Sequence, residues 1–230
     1  MKIYNTEIGS GRTFVIAELC SNIIPHLDNL EGCVDVVAGT GATAVKIQLF
    51  HNSHFPKSEQ AEKRKWEFPR ERFPELVSLC HSRGLACGAS VFDEDAVDLV
   101  AEHGDFIKLA TREVYNSELY NYCVGKLPLI FSYDYRKWPH GLEDWDENTF
   151  PLACIPEYPV IHLGRIGDLN VGWSSHTDHW LDCVVAASRG AVAVEKHLAF
   201  TSLDLEINWS LMPNQFSQMV QDIRWAEGVR

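Results

Sequence analysis

Positive charge is in short supply in this chain. Its 230 residues carry 20 lysines and arginines against 32 aspartates and glutamates, a formal net charge of −12. No lysine- or arginine-rich run offsets that balance, and an acidic chain is repelled by a phosphate backbone, which argues against a nucleic-acid-binding surface. Long apolar runs are missing too. No segment is apolar enough to cross a bilayer, and the N-terminal MKIYNTEIGSGRTF lacks the apolar core of a signal peptide. A cytoplasmic protein with no membrane partner is the expectation. No break in composition divides the chain, so one domain over residues 1–230 is expected, long enough for a sizeable core. Cysteines are present but follow no disulfide pattern: there are seven, an odd number, scattered through apolar segments. They read as buried thiols in a reducing compartment. None is assigned to catalysis; Cys20, two residues after Glu18, is the one placed to lie near the site, and it reads most simply as a small buried residue.

The most informative stretch runs from Asn170 to Phe200, NVGWSSHTDHWLDCVVAASRGAVAVEKHLAF. Asn170 to Ser175 reads as a short strand followed by His176. Thr177 to Arg189 carries Trp180, Val184, Val185 and Ala187 at helical spacing, and Gly190 ends that helix. Ala191 to Ala199 reads as a second strand, interrupted near its end by Glu195, Lys196 and His197. A strand, a crossover helix and a parallel strand put like ends side by side. His176 and His197 could therefore share a divalent metal, with Ser174 and Glu195 close by. A lone strand-end histidine is more often a hydrogen-bonded structural residue, and spacing alone leaves both readings open.

The rest of the chain repeats the rhythm. Met1 to Arg12 reads as a hairpin turning at Gly9-Ser10-Gly11 and closing the bottom of the fold. FVIAEL ends in Glu18, a carboxylate costly to bury without a partner, so a core salt bridge and a catalytic role are the two readings. A loop beginning at Ser21-Asn22 leads into a helix with Leu30, Val34, Val37 and Ala38 on one face. AVKIQLF places Lys46 and Gln48 on the same face. His51 to Phe68 reads as a long loop, placed where a lid would sit. A helix over Arg70 to Arg83, a strand over Leu85 to Phe92 with Ser90, and a helix over Glu94 to Glu102 follow. The strand from Phe106 to Ala110 holds Lys108 and precedes Thr111. After a short helix over Ser117 to Val124, a fifth strand, Leu127 to Ser132, and a sixth, Leu152 to Tyr158, lack convincing helices after them, so the fifth and sixth helices are expected to be shortened or missing. Asn214 to Glu227 closes as an amphipathic helix.

Eight strands alternating with mostly helical segments predict an α/β fold, a compact (β/α)8 TIM barrel. A doubly wound sheet shares that order. Polar residues finish nearly every strand, though, and only a closed barrel gathers all of those ends at one mouth. Two inward lysines with the hydroxyls of Ser90, Thr111, Ser132 and Ser174 suit a small polyanion carrying phosphate and carboxylate, a description that phosphoenolpyruvate meets. A metal on the two histidines would act as a Lewis acid, and Glu18 or Glu195 could move protons.

GWSSHT followed by VEKH resembles the GxSDHT and (I/V)E(K/R)H signatures of the N-acetylneuraminate (sialic acid) synthase family. FVIAELCSN is similar to that family's (I)AEIGxNH, AVKIQLF to AVKxQTF, SVFD to STPFD, FIKLATRE to YKIxSGE and LPLIFS to GKPIILSTGM; SLMP resembles the turn before its last helix. The resemblance implies a transferase that joins C3 of phosphoenolpyruvate to the metal-activated aldehyde of N-acetylmannosamine or a related sugar, after which water attack at C2 expels phosphate. It implies Glu18, Glu195 and Lys46 as catalytic residues. Lys46, Ser90, Lys108, Thr111, Ser132 and Ser174 fall at phosphoenolpyruvate-binding positions, and Asn22, Gln48, Tyr158 and Glu206 on the acceptor side. His176 and His197 fall at the ligands of a manganese or magnesium ion. The departures gather on the acceptor side: Ile23 replaces histidine, Ser175 aspartate, Arg112 glycine and Pro156 asparagine, and Leu205-Glu206-Ile207-Asn208 replaces a GPD turn. Family members usually continue into an antifreeze-like domain, so a homodimer or a separately encoded C-terminal domain is the protein partner to expect. The alternative reading is a non-catalytic or partner-dependent barrel that binds a phosphorylated metabolite. A third, a related barrel synthase making 3-deoxy-octulosonate or heptulosonate phosphates, implies a metal site with cysteine, glutamate and aspartate as well as histidine, for which Cys20 is the one cysteine near enough.

Overall fold

The computed structural model describes residues 1–137 and 146–228. Eight parallel strands close on themselves: β1 (Phe14–Glu18), β2 (Ala44–Leu49), β3 (Ala86–Val91), β4 (Phe106–Leu109), β5 (Leu129–Asp134), β6 (Thr149–Cys154), β7 (Gly172–Ser175) and β8 (Ala193–Leu198). Each pairs with its successor, and β8 pairs with both β7 and β1, so the sheet has no free edge around the ring. The protein is a (β/α)8 barrel.

Helices α1 (Leu30–Gly39), α3 (Phe73–Ser82), α4 (Glu94–His103), α5 (Ser117–Cys123), α6 (Leu181–Ser188) and α7 (Pro213–Glu227) pack outside it, and a short α2 (Lys57–Lys63) sits in the connection after β2. Their apolar stripes explain the placement. In α7, Phe216, Met219, Val220, Ile223 and Ala226 recur at helical spacing and all are buried. Side-chain caps start several helices: Asn29 Oδ1 accepts from Gly32 N, Asp93 Oδ1 from Ala96 N, and Asn116 Oδ1 from Leu119 N.

The period of two along each strand divides the barrel interior into layers. Phe14, Ala44, Ala86, Phe106, Ile130, Leu152 and Ala193 fill the lower layer, and Ile3 and Ile8 of the N-terminal segment plug it from below. Glu18, Lys46, Ser90, Lys108, Ser132, Ser174 and Glu195 lie further along the same inward faces. Two glycines make this packing fit. A Cβ on Gly88 would meet the Phe106 carbonyl at 2.5 Å, and one on Gly172 would meet the Leu152 side chain at 2.1 Å.

Several expectations need correction. The hairpin pairs Lys2–Ile3 with Thr6–Glu7, so the chain turns at Tyr4-Asn5, ahead of the glycines. The segment after β1 is a 3-10 helix over Cys20–Asn29 in place of a loop, and the stretch after β2 contains α2 along with short 3-10 turns. The sixth strand lies earlier than expected: it runs from Thr149 to Cys154, with Pro156 and Pro159 beyond its end, and Tyr158 falls in the loop. No helix connects β6 to β7, as expected. Of the stretch from Tyr133 to Phe150, residues 138–145 lie outside the described residues.

Candidate active site

The mouth of the barrel gathers nearly every residue expected to act. Glu18, Lys46, Gln48, Ser90, Lys108, Thr111, Ser132, Tyr158, Ser174, His176, Glu195 and His197 line one inner cavity of about 40 Å³. Asn22 and Glu206 do not. Asn22 is fully buried and its amide is spent on structure: Nδ2 donates to the Leu198 carbonyl and to Ser210 Oγ, and Oδ1 accepts from Glu206 N. It positions the Glu206 loop and leaves no group for an acceptor. Glu206 lines a wider outer cavity of about 510 Å³, which shares Gln48, Thr111, Tyr158 and His197 with the inner one.

The inner floor is built from alternating charges. Lys46 is ion-paired with Glu18, lies 3.5 Å from Glu195 Oε2, and donates to Ser90 Oγ at 2.7 Å. Lys108 donates to Ser132 Oγ at 2.7 Å and to the Leu109 carbonyl at 3.2 Å. Ser174 Oγ donates to Glu195 Oε1 at 2.8 Å, while Glu195 Oε2 has no hydrogen-bond donor although it is buried. Burial by itself would lift Glu195, yet the Lys108 and Lys46 cations hold it down at about 2. Lys46 behaves in the opposite sense: burial works against its charge, but Glu18 and Glu195 keep it firmly protonated. Burial pushes the Glu18 carboxyl up and the Lys108 ammonium down. Two ammonium groups facing two carboxylates cancel, so an arriving polyanion needs a carboxylate to move or a cation to accompany it.

The histidines stand over this floor. His176 Nδ1 donates to the Ile155 carbonyl at 3.0 Å, which leaves the lone pair on Nε2, and burial pushes the ring's pKa down to about 3, so it is neutral. The His176 and His197 rings are 5.4 Å apart, and Tyr158 lies over His176 at 4.2 Å. A neutral imidazole whose tautomer is fixed by a carbonyl, as at His176, suits a divalent metal. Behind them, the outward-facing Lys196 is fully buried and donates to the Thr177 carbonyl at 2.5 Å and Ser175 Oγ at 3.1 Å. Asp182 accepts from Trp173 Nε1 and from Thr177 Oγ1. This network clamps the turn that carries His176.

The outer cavity brings in residues that the sequence did not single out. Phe50 and Phe55 follow β2, Phe92 follows β3, and Trp209 lies within 6.4 Å of the His197 ring. Lys63 and Arg112 both sit over the Phe55 ring, each at 4.9 Å. Aromatic residues immediately beyond strand ends were the available signal. Cys20, the one cysteine that the sequence places near the site, faces the same cavity, and its thiol donates to Glu206 Oε1 at 2.9 Å.

Several known proteins are similar to this chain. The chain is 24% identical to the spore coat polysaccharide biosynthesis protein SpsE of Bacillus subtilis (strain 168), over 98% of this chain and 71% of that protein. It is 26% identical to the N,N'-diacetyllegionaminic acid synthase of Legionella pneumophila, over 96% of this chain and 74% of that protein. Among solved structures, the N-acetylneuraminic acid (sialic acid) synthetase of Leptospira borgpetersenii superposes with a TM-score of 0.85 at 18% identity, covering 100% of this chain and 89% of that one, and so shares its fold. The NeuB family model matches residues 33–134 and 150–230, more than half of the sequence, and the chain therefore belongs to the NeuB family.

Proposed function

We propose that this protein is a phosphoenolpyruvate-dependent carbon–carbon synthase. It condenses the enol phosphate with an aldose, N-acetylmannosamine or a related sugar, to a nonulosonic-acid-like 2-keto acid and inorganic phosphate. The observation that carries this reading is the pair of buried lysines on the barrel floor, each with its Nζ 2.7 Å from a serine hydroxyl, in a family with relatives named as synthases of such acids. Lys46 and Lys108 meet the charge of phosphate and carboxylate, and Ser90, Thr111, Ser132 and Ser174 donate to their oxygens.

The inner cavity alone has room for little more than water. Substrate therefore spans both cavities and competes with Glu18 for Lys46. Glu18, whose pKa burial already raises, takes a proton as its partner turns to the substrate. Protonated Glu18 then supplies that proton to the aldehyde oxygen as the C3 to carbonyl-carbon bond forms. Glu195, held ionised by the two lysines, accepts a proton from the water that adds at C2 as phosphate leaves. His176 and His197 would hold a manganese or magnesium ion, which would supply Lewis-acid polarisation of the aldehyde. Gln48 and Tyr158, between the cavities, contact the acceptor.

The test is phosphate release from phosphoenolpyruvate with manganese or magnesium, across a panel of aldoses with and without N-acetyl groups. Release that depends on one sugar supports the synthase and names its acceptor. Tight phosphoenolpyruvate binding with no release from any sugar would replace it with a binding-only or partner-dependent barrel.

A further inference from the structure

Where the two cavities meet, three side chains of different chemistry converge beside the histidine pair. Ligand atoms of Cys20, His197 and Glu206 all lie within 4.8 Å of one another. Cys20 Sγ donates to Glu206 Oε1 at 2.9 Å, and His197 Nδ1 lies 2.8 Å from Glu206 Oε2. Cys20 is 6% and His197 4% exposed. All three face the outer cavity, so an ion from solvent can reach them.

The backbone is a second and independent observation. Cys20 has φ +39°, and Tyr4 is the only other non-glycine residue with positive φ among those described. A residue with a Cβ pays about 1 kcal/mol or more in this left-handed region, and glycine would avoid it. The conformation is held by Glu18 Oε1, which accepts from Cys20 N at 2.6 Å, and it aims the thiol at Glu206. A strained cysteine at this point is explained if its sulfur has work to do.

We propose that Cys20 and Glu206 join His197 as ligands of the same divalent ion assigned above to the histidine pair, giving that site a thiolate ligand; the inference rests on that assignment. The ion then rests on sulfur, nitrogen and oxygen together. The hydrogen bonds that now join the three groups mark where it sits: the Cys20 thiol proton and the proton between His197 and Glu206 leave, and the metal takes their place. Bonds of about 2.0–2.3 Å would hold tetrahedral ligand atoms roughly 3.3–3.8 Å apart, a small expansion of the present contacts. A thiolate in the set favours zinc, cobalt or ferrous iron, and of the two ions named above it favours manganese over magnesium. Glu206 accordingly serves the metal, and the acceptor only through it.

Cobalt(II) titration of chelator-treated protein tests this without any substrate. The expected result is uptake of one equivalent with a thiolate-to-cobalt charge-transfer band in the near ultraviolet. Cys20→Ser should lose the band and bind cobalt at least tenfold more weakly, while Glu206→Gln should keep the band and bind more weakly. Binding without the band, a band that survives in Cys20→Ser, or no cobalt uptake would each overturn the proposal. Should Cys20→Ser fail to fold, the unaltered protein gives the answer: zinc should block iodoacetamide alkylation of Cys20, mapped by mass spectrometry, and equal labelling with and without zinc would overturn it. Condensation is read separately by phosphate release, so failure of the synthase reading and failure of the thiolate site are distinguishable.

Discussion

Lys108 shows how single side chains carry the site. Burial lowers its pKa and Glu195 pulls it back up, while Ser132 and the Leu109 carbonyl satisfy two of its hydrogens. An incoming anion strengthens the charged form and gains a charge-assisted hydrogen bond. Lys108→Ala should therefore weaken phosphoenolpyruvate binding by about 1.5–3 kcal/mol, roughly 10- to 150-fold, measured by calorimetry, with circular dichroism unchanged. Unaltered affinity would remove Lys108 from the binding pose. The same substitution removes the first cation that holds Glu195 down, so the Glu195 pKa, now about 2, should rise, as read by carboxyl infrared bands across pH. The strand period made the roles of Lys46, Lys108 and Glu195 legible, because a charge on an inward face must meet a partner. It gave no access to Cys20 and Glu206, whose meeting spans a sequence separation of 186.

At the scale of elements, the connection from β3 to α4 shows local sequence and tertiary contact acting on one residue. Asp93 caps α4 through Ala96 N and also takes two hydrogen bonds from Arg70, ahead of α3. Burial would raise its pKa, but Arg70 and the cap bring it below the ordinary 3.8. A carboxylate depressed in the folded state gives stability that is present above the unfolded pKa, near 3.8, and lost as pH falls through the lower folded value. Asp93→Ala should cost about 1–2 kcal/mol near neutrality, the usual scale for a lost cap, and the difference should shrink in urea unfolding below pH 3.8. An equal difference at both pH values would show that the charge contributes nothing. The cap is readable in the sequence as Asp93 ahead of the apolar stripe of α4. The Arg70 contact is not, because it joins two separate crossover units.

For the whole molecule, ligand binding and stability are one equilibrium. Phosphoenolpyruvate at 100 times its dissociation constant should stabilise the fold by about 2.7 kcal/mol. In a chain of 230 residues that corresponds to roughly 5–10 °C in Tm by scanning calorimetry. No shift at saturating concentration would mean that the mouth does not take this anion. Closure of the barrel is what makes such coupling global, since ligand groups come from strands all around the ring.

The barrel and most of its inner site followed from sequence alone. Polar residues finish nearly every strand, so Glu18, Lys46, Ser90, Lys108, Ser132, Ser174 and Glu195 were expected at one mouth once the strands were recognised, and the family resemblance supplied their roles. Strand limits were less secure, as the early end of β6 shows, because register to the neighbouring strand decides them. Loops carry no such pattern. Asn22 turned out to be a buried strut, Tyr158 a lid over His176, and Cys20 and Glu206 partners of His197, only because the folded chain brings loops after β1, β6 and β8 over one mouth. Repetition along a strand is a local property that a sequence records. Which loops meet above the barrel depends on distances between parts of the chain far apart in sequence, and only the tertiary structure decides those.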